Sequence, residues 1–553
     1  MRNLRWWRRG SSVLLVILLI PILVFLARSV AWLSQTSHFR SLSHRHKLSS
    51  TYVMEAGLAH AASLLEEDAT WTEGFDQERM TRTDGAYTIT FQDPGRPYQD
   101  GNSVNNIMGT EEMDGPRGPK TVIPGTVELV VHSRSGPLQN RGTFLMQAIF
   151  NNSNDWAVSS AGKIVMEGDI DVQGVENLAT WAPVNAGIHA NIFQAGETAV
   201  SWTPGQVGDR ATFSGKVSTP TRGDTAIQFS GQEGVDFQAD EFEDGAGRLA
   251  IQSPQIVEKV SNNASAPSPP VSPFGTTTLN AGEYYSGGAL DLQGDLVLEG
   301  GTLYVNGDLN VNGSITGTGS VYVTGKTSFK GDAYIEAGAE GVALYSEGSI
   351  TMSGFNGTEF MERLSRNNPG IIQQFNNAKA QLLDSSDTTP DGTQRNQANS
   401  ALNSLRQVTQ LVEQELASGG QTASFVKKQL NAIDDVVERS HDDNTYSRAE
   451  MGQIYREVSY GLDRVGTGYF KGLLVSNSYI HTDSAVAVVG CVWASGTNET
   501  DQPKFVDGRE IKPGDVYLGS DTSLLLNREL VEDEDTASPT QLAGLEMLSW
   551  RQE

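Results

Sequence analysis

Side chains able to do chemistry are few in this sequence and do not converge. His44-Arg45-His46, flanked by His38 and His60, is the densest imidazole group. Imidazoles at such spacing can ligate a metal. These stand in a basic segment beside an apolar run, where an exposed or lipid-facing helix surface accounts for them better. Ser424-Phe-Val-Lys427 has the spacing of a serine–lysine nucleophile pair and lacks the partner motifs that would complete it. Glu241-Phe-Glu-Asp244-Gly opens like a calcium loop but offers no further ligands. Gly317-Thr-Gly319 precedes no helix, so no helix N-terminus is there to hold a phosphate. Asp308, Lys326, Lys330 and Asp332 are expected to face outward from a strand stack. Such mixed charge can serve polysaccharide cleavage, and it also decorates any soluble stack. Cys491 is the lone cysteine, which excludes an intrachain disulfide, a cysteine zinc site and a CxxC redox centre. The run Ala485 to Trp493 around it predicts a small buried apolar residue. No enzymatic activity, metal or cofactor is expected.

Composition bounds the elements that must carry these residues. A chain of 553 residues is too long for one ordinary core, so two to four domains are expected. With 58 glycines and 19% charged residues, a turn-rich β architecture is favoured. The net charge is −27 and is unevenly spread. Residues 1–54 carry eight Lys/Arg and no Asp/Glu, so the remainder sums to −35. The basic part suits an anionic lipid surface. The acidic part argues against nucleic acid, whose phosphates need a basic partner.

The N-terminus is the most distinctive stretch. From Ser11 to Ala27 there is no charge, and the run is about 25 Å long as a helix. Val13, Leu14, Leu15, Val16, Ile17, Leu18, Leu19, Ile20, Ile22, Leu23, Val24 and Phe25 form the anchor. Arg28 can snorkel and Ser29 to Leu33 can complete a bilayer crossing of about 30 Å. Arg2, Arg5, Arg8 and Arg9 precede the run and place the N-terminus in the cytoplasm. Three readings compete: a plain signal anchor, a secretory signal cut near Ser29-Val-Ala31, or a leader cut between Gly10 and Ser11. Phe39, Leu42, His46, Tyr52, Val53, Ala56 and Ala59, then Leu64 and Leu65, predict that a helical stripe continues beyond the membrane.

Glu55-Ala56-Gly57-Leu58 lies near the end of that stripe. With the basic leader ending in Gly10 and the apolar helix, residues 1–67 resemble the N-terminal segment of PilX-type minor pilins and pseudopilins. The resemblance implies cleavage between Gly10 and Ser11 by a prepilin peptidase, and a helix that packs with other pilin-like subunits. It departs at one position. The family carries a Glu five residues after the cut, and Leu15 stands there. A subunit without that carboxylate resembles the member located at a filament tip.

Beyond the helix, Tyr87 to Phe91, Thr126 to Val131 and Gly142 to Phe150 predict three antiparallel strands, with Pro97 to Pro124 as loop. A repeat follows. Glycines fall at 288, 294 and 300, then at 301, 307, 313, 319, 325 and 331, six apart. The second and fourth residues after each are mostly apolar, as in Leu303/Val305 and Leu309/Val311. Each hexad reads as a short strand with two inward side chains and a glycine corner. Three hexads make an eighteen-residue coil, which would stack Tyr304 on Tyr322 and set Asp308 one coil from Lys326. Copies recur at Gly162 to Gly174, Gly348 to Gly354 and Gly514 to Gly519. This ladder resembles the right-handed triangular β-helix of bactofilins.

Leu402 to Leu416 and Phe425 to Val437 change to helical period, and Ser447-Arg-Ala-Glu450 reads as a capping box for a third helix. The expected organisation is a leader (1–10), a transmembrane pilin-like helix (11–68) and a small antiparallel domain (69–154). A solenoid-like block (155–260), a Pro/Ser linker (261–275) and a solenoid (276–356) follow. A helical insertion (357–466), a solenoid continuation (467–530) and an acidic, amphipathic tail (531–553) complete it. The tail, from Leu542 to Trp550, is expected over the open end of the stack. The fold class is therefore mainly β with α: a long N-terminal helix, a small antiparallel sheet and a right-handed parallel β-helix with an inserted helical subdomain. The function expected is a membrane-inserted minor pilin-like protein of the bacterial inner membrane. Its bulk would be periplasmic or extracellular and would act in filament assembly, tip capping or adhesion. Its partners would be the lipid bilayer and other pilin-like subunits, with no nucleic acid. A signal-anchored bactofilin-like scaffold and a polysaccharide-active β-helix enzyme are the alternatives.

Overall fold

The computed structural model describes residues 4–552 apart from 81–84, 94–95, 110–111, 124, 152–155, 193–196, 207–208, 222, 230–236, 240, 245, 247, 252–255, 273–274, 339–340, 354–356, 384–390, 418–422, 443–447, 484, 499–500, 507, 520 and 532–541. The chain divides into two compact units, Met1–Ala148 with Leu542–Glu553, and Ile149–Gln541. The capping box at Ser447, the turn at Pro94-Gly95, the Gly419-Gly420 break and the acidic run from Glu532 lie outside the described residues or their side chains.

The first unit is built on one helix, α1 (Leu4–Glu67), of 64 residues. It runs unbroken through Pro21, which offers no N–H to the preceding turn. Hydroxyls in its path bond back along it, Ser29 to the Phe25 carbonyl and Thr36 to that of Trp32. Beside it stands an antiparallel sheet of strands Phe75–Arg79, Gly85–Ile89, Thr126–Ser135 and Leu138–Asn151. The three strands read from sequence are present, but the stretch from Pro97 to Pro124 is not plain loop. It holds a strand at Val104–Asn106 and a hairpin at Met113–Gly115 and Gly118–Val122. The tail is a second correction. Leu542–Gln552 is not an amphipathic helix but a strand paired with Leu138–Asn151 in this sheet. Its alternation of Leu and Met with polar residues suits a strand edge as well as a helix face.

The second unit is a stack of parallel coils with three strand faces. One face is a nine-stranded parallel sheet, so the described residues make nine coils, about 43 Å of stack at ~4.8 Å each. Register is held at eighteen or nineteen residues per coil: Leu303 pairs with Val321, Leu309 with Thr327, and Leu296 with Ile315. Leu303, Val305, Leu309, Val311, Val321 and Val323 are buried in one continuous core. Tyr304 stacks on Tyr322 with ring centroids 5.3 Å apart. A Cβ at Gly294, Gly313 or Gly331 would fall 2.2–2.6 Å from the carbonyl oxygen of the glycine one coil below. Close backbone approach, rather than an unusual φ, therefore demands glycine in this column.

The residue after a corner glycine has its own task. Asp295, Asp308, Asp515 and Asp169 each accept the backbone N–H at the matching corner of the next coil, those of Ser314, Lys326, Lys163 and Arg210, at 2.6–2.8 Å. Asp308 thus serves the Lys326 backbone, and the Lys326 ammonium instead pairs with Asp501. Asp332 occupies the same position but is buried, so the expectation that it faces outward is corrected. Tyr334 pairs with Tyr469, which makes Thr467 its next-coil counterpart. The Thr467 N–H already donates to the Arg464 carbonyl at a helix end. The Asp332 Oδ2 has no hydrogen-bond partner among the described residues.

The two solenoid blocks form one stack, in an order the chain does not follow. The nine-stranded face reads, by first residue, 290, 309, 327, 350, 480, 516, 164, 200, 227. Val516 pairs with Ile164 and Thr522 with Ile170, so coils from 468–527 rest on coils from 156–175. The chain must therefore pass from one end of the stack to the other between Ala250 and Thr277. This return includes a short helix, α2 (Ile256–Asn262), whose Lys259 lies over the Tyr322 ring at 4.5 Å. The Pro/Ser segment after it is this crossing, and the Pro267 carbonyl accepts the Tyr285 N–H.

Five helices interrupt the stack: α3 (Gly357–Asn367), α4 (Ile371–Leu383), α5 (Asp391–Ala417), α6 (Ala423–Asp442) and α7 (Arg448–Asp463). They bury their own core, with Leu405, Val408, Val412, Phe425, Val426 and Leu430 at its centre. The first two helices escape a reading that begins the helical period at Leu402.

Two buried groups titrate in opposite senses. Burial pushes the Asp332 carboxyl up to about 8. A folded value above the unfolded one means stability is full below about pH 4 and lost as pH rises towards 8. Asp332→Asn should therefore raise unfolding stability at pH 8 by at least ~1 kcal/mol and leave it unchanged near pH 4, in urea titrations. His189 is fully buried, and burial lowers it to about 4. Its Nε2 donates to Asn191 Oδ1, which also accepts the Leu249 N–H, and its Nδ1 accepts from Ser218. The unfolded chain takes up that proton first, so stability is lost as pH falls from about 6.5 towards 4, by roughly 3 kcal/mol at the limit. His189→Asn should flatten that limb of the pH profile.

Candidate functional site

The element with the clearest functional chemistry is α1, because its surroundings change along its length. From residue 17 to 33 the described large apolar side chains are exposed on every side, from Leu19 at 45% to Phe25 at 72%. A helix apolar all round and packed against nothing fits a hydrocarbon environment. It is long and apolar enough, by length and composition, to cross a membrane once. The backbone of Gly10, Ser11 and residues 13–16 belongs to the same helix. The side chains of Val13, Leu14, Leu15 and Val16 lie outside the described residues.

After residue 41 one face becomes buried against the sheet. The covered positions are Ser50, Val53, Met54, Gly57, Leu58, Ala61 and Leu65, with Leu42 and His46 half-buried. Tyr52, Phe39 and Ala59 face outward, which corrects the predicted stripe by about one residue of rotation. The contact is not purely apolar. Ser50 and Ser133 share a hydrogen bond of 3.0 Å, and Ser135 donates to Ser49 at 2.9 Å. Small hydroxyl residues let helix and strand approach closely while satisfying each other's polar groups.

The Glu55-Ala56-Gly57-Leu58 signature now has a geometry. Glu55 is exposed, Ala56 is at the margin, and Leu58 is buried. A Cβ on Gly57 would fall 2.8 Å from the Tyr87 ring. Gly57 is thus where the helix admits Tyr87, whose hydroxyl meets His60 Nδ1 at 2.7 Å. Phe75 stacks on His60 at 4.5 Å, and Trp71 packs on Phe75 and Phe91. Below this cluster Glu128 is fully buried and paired with Arg117 at 2.9 Å, and Arg117 also donates to Ser549 on the C-terminal strand. Burial raises the Glu128 carboxyl in spite of the guanidinium. Nothing in the linear sequence marks Tyr87, Ser133 or Ser135 as the helix's partners, since each is an ordinary strand residue.

The other candidates for chemistry are dispersed. Lys427 pairs with Glu413 across α5 and α6, and the Ser424 side chain lies outside the described residues. Glu243 pairs with Lys216, and Asp244 accepts the Gly223 N–H. His44 and His38 are exposed, whereas His46 lies against Gly136. Gly317 and Gly319 are in the strand Ile315–Val323. Cys491 is fully buried, and burial holds its thiol well above the usual range.

A family model described as "Domain of unknown function (DUF7305)" matches residues 238–361, which span the return crossing, the coils from Thr277 to Met352 and the start of α3. Among solved structures, the chain is similar to the crystal structure of the competence-associated pilin ComZ from Thermus thermophilus. That match has 12% identity, covers 92% of this chain and 97% of that one, and has a TM-score of 0.22. No curated protein matches the chain.

Gly57→Val should drive the Tyr87 ring out of its seat. The expected loss is about 1–3 kcal/mol of stability for the first unit, read as an earlier unfolding transition in detergent-solubilised full-length protein.

Proposed function

We propose that this chain is a membrane-inserted, minor pilin-like protein that carries a β-helix outside the cytoplasm of a bacterial cell. The observation that supports it is the continuity of α1. One helix is apolar and unaccompanied from residue 17 to 33, then docks through Ser50, Val53, Gly57 and Leu58 on a small antiparallel sheet. In this reading the Arg-rich leader stays in the cytoplasm and the inner membrane holds residues 13–25. A prepilin peptidase cuts between Gly10 and Ser11, and the freed helix packs with other pilin-like subunits. Leu15 leaves the subunit without the carboxylate that pairs with a neighbour's new amine, which suits a tip or priming position. The acidic β-helix then serves adhesion or capping and not catalysis. It would bind no nucleic acid.

The nine-coil stack itself favours a second reading, a bactofilin-like envelope scaffold on an uncleaved anchor. Mass spectrometry of the mature N-terminus separates the two. A start at Ser11 is expected, whereas a start at Met1 favours the scaffold, and recovery in the soluble cytoplasmic fraction overturns both. Leu15→Glu should change the amount of protein in sheared filaments. Equal amounts with either residue would remove the filament role.

A further inference from the structure

A cavity of about 290 Å³ lies inside the second unit, between the stack and helices α6 and α7. That is close to the lower end of ligand-sized pockets, roughly 300 Å³. Its stack wall carries Tyr334 and Tyr469, parallel rings 5.1 Å apart, with Glu336 and Lys471 beside them. The Tyr334 hydroxyl donates to Glu336 Oε1 at 2.6 Å, and the Lys471 ammonium lies 3.7 Å from Oε2. Both carboxylate oxygens are thereby held in place with room for further donors. Burial raises both phenols, so each remains a hydrogen-bond donor at any ordinary pH.

Tyr460, Arg464 and Trp181 complete the lining. Arg464 is stacked 3.4 Å from the Tyr460 ring and anchored by Asp171 and Ser523. Trp181 meets Tyr460 edge-on at 5.9 Å. It comes from outside the coil repeat, on a turn closed by Asn177, whose side chain accepts the Thr180 N–H and whose carbonyl accepts that of Trp181. Trp181 sits at φ +50°, a left-handed conformation costly for a bulky residue and held here by the Asn177 turn.

The charge pattern selects the ligand. Both cations that line the cavity are already answered, Lys471 by Glu336 and Arg464 by Asp171. An anionic ligand would find neither cation free to receive it. The Tyr460 face already holds a guanidinium, so the place a cationic ligand would take on it is filled. What remains is aromatic surface for a ring's apolar face, together with carboxylate, ammonium and phenol groups for hydroxyls. We propose that this cavity binds an uncharged sugar unit of a glycan. The inference goes beyond the membrane reading and does not depend on it, because binding is measured on purified protein.

Full-length protein in detergent is passed over immobilised neutral hexose and N-acetylhexosamine oligosaccharides, uronic-acid oligosaccharides and trimethylammonium beads. Retention on a neutral oligosaccharide is expected, weakened about tenfold or more by Trp181→Ala and by Glu336→Gln, with Trp550→Ala unaffected. Matching melting curves establish that the variants fold, and Glu336→Gln, which preserves shape, carries the test if Trp181→Ala does not. No retention on any neutral oligosaccharide, preference for the acidic or ammonium supports, or equal binding by both cavity variants would overturn the proposal.

Discussion

A coil of eighteen residues cannot bury the inward pair of each of its three strands or satisfy its backbone alone, and the second unit follows from that constraint. Each strand's N–H and C=O groups need a neighbour about 4.8 Å away, and each apolar pair needs another pair above and below. Glycine at the corners is the steric consequence, since adjacent corners bring carbonyl oxygens where a Cβ would be. Aspartate after the glycine is the hydrogen-bonding consequence, because the corner N–H points along the stack and needs an acceptor. Where five helices interrupt the ladder, the same rule exposes its cost. Asp332 keeps the position of an acceptor, but the donor it would meet has been claimed by a helix end.

The first unit solves a different problem with related means. A helix whose first half is exposed and apolar all round acquires a partner on one face only in its second half. Here the change is gradual, from side chains exposed all round, to half-buried Leu42 and His46, to fully buried Val53 and Ala61. Gly57 and the facing serines allow the approach to be close, and the aromatic cluster of Trp71, Phe75, Tyr87 and Phe91 closes the end of the helix.

The period of the coils was legible because two forces write it directly into residue type. Inward positions must be apolar and corners must be small, so the places of Leu303 and Val321 are written in the repeat itself. The apolar anchor was legible for a similar reason. Stacking order was not, because parallel backbone hydrogen bonds are blind to which coil supplies the other edge. Nothing local tells Lys163 that its N–H belongs to Asp515, 352 residues away. The strand at Leu542–Gln552 escaped because an edge strand and an amphipathic helix share a sparse apolar pattern over so short a run. The burial of Asp332 escaped because the rule for its position is an exposed cap on the next coil, and its counterpart Thr467 is engaged by a helix end. Trp181 lies outside the repeat altogether, so periodicity had nothing to say of it.

The circular order of the coils has a bearing on how the molecule comes into being. The segment 156–175 is synthesised long before 516–527, the segment whose strands complete its edge. Until the ribosome has made nearly all of the chain, those early coils present bare parallel edges with no lower neighbour. The last-made coils act as a keystone, and any folding that begins during synthesis proceeds with that gap still open.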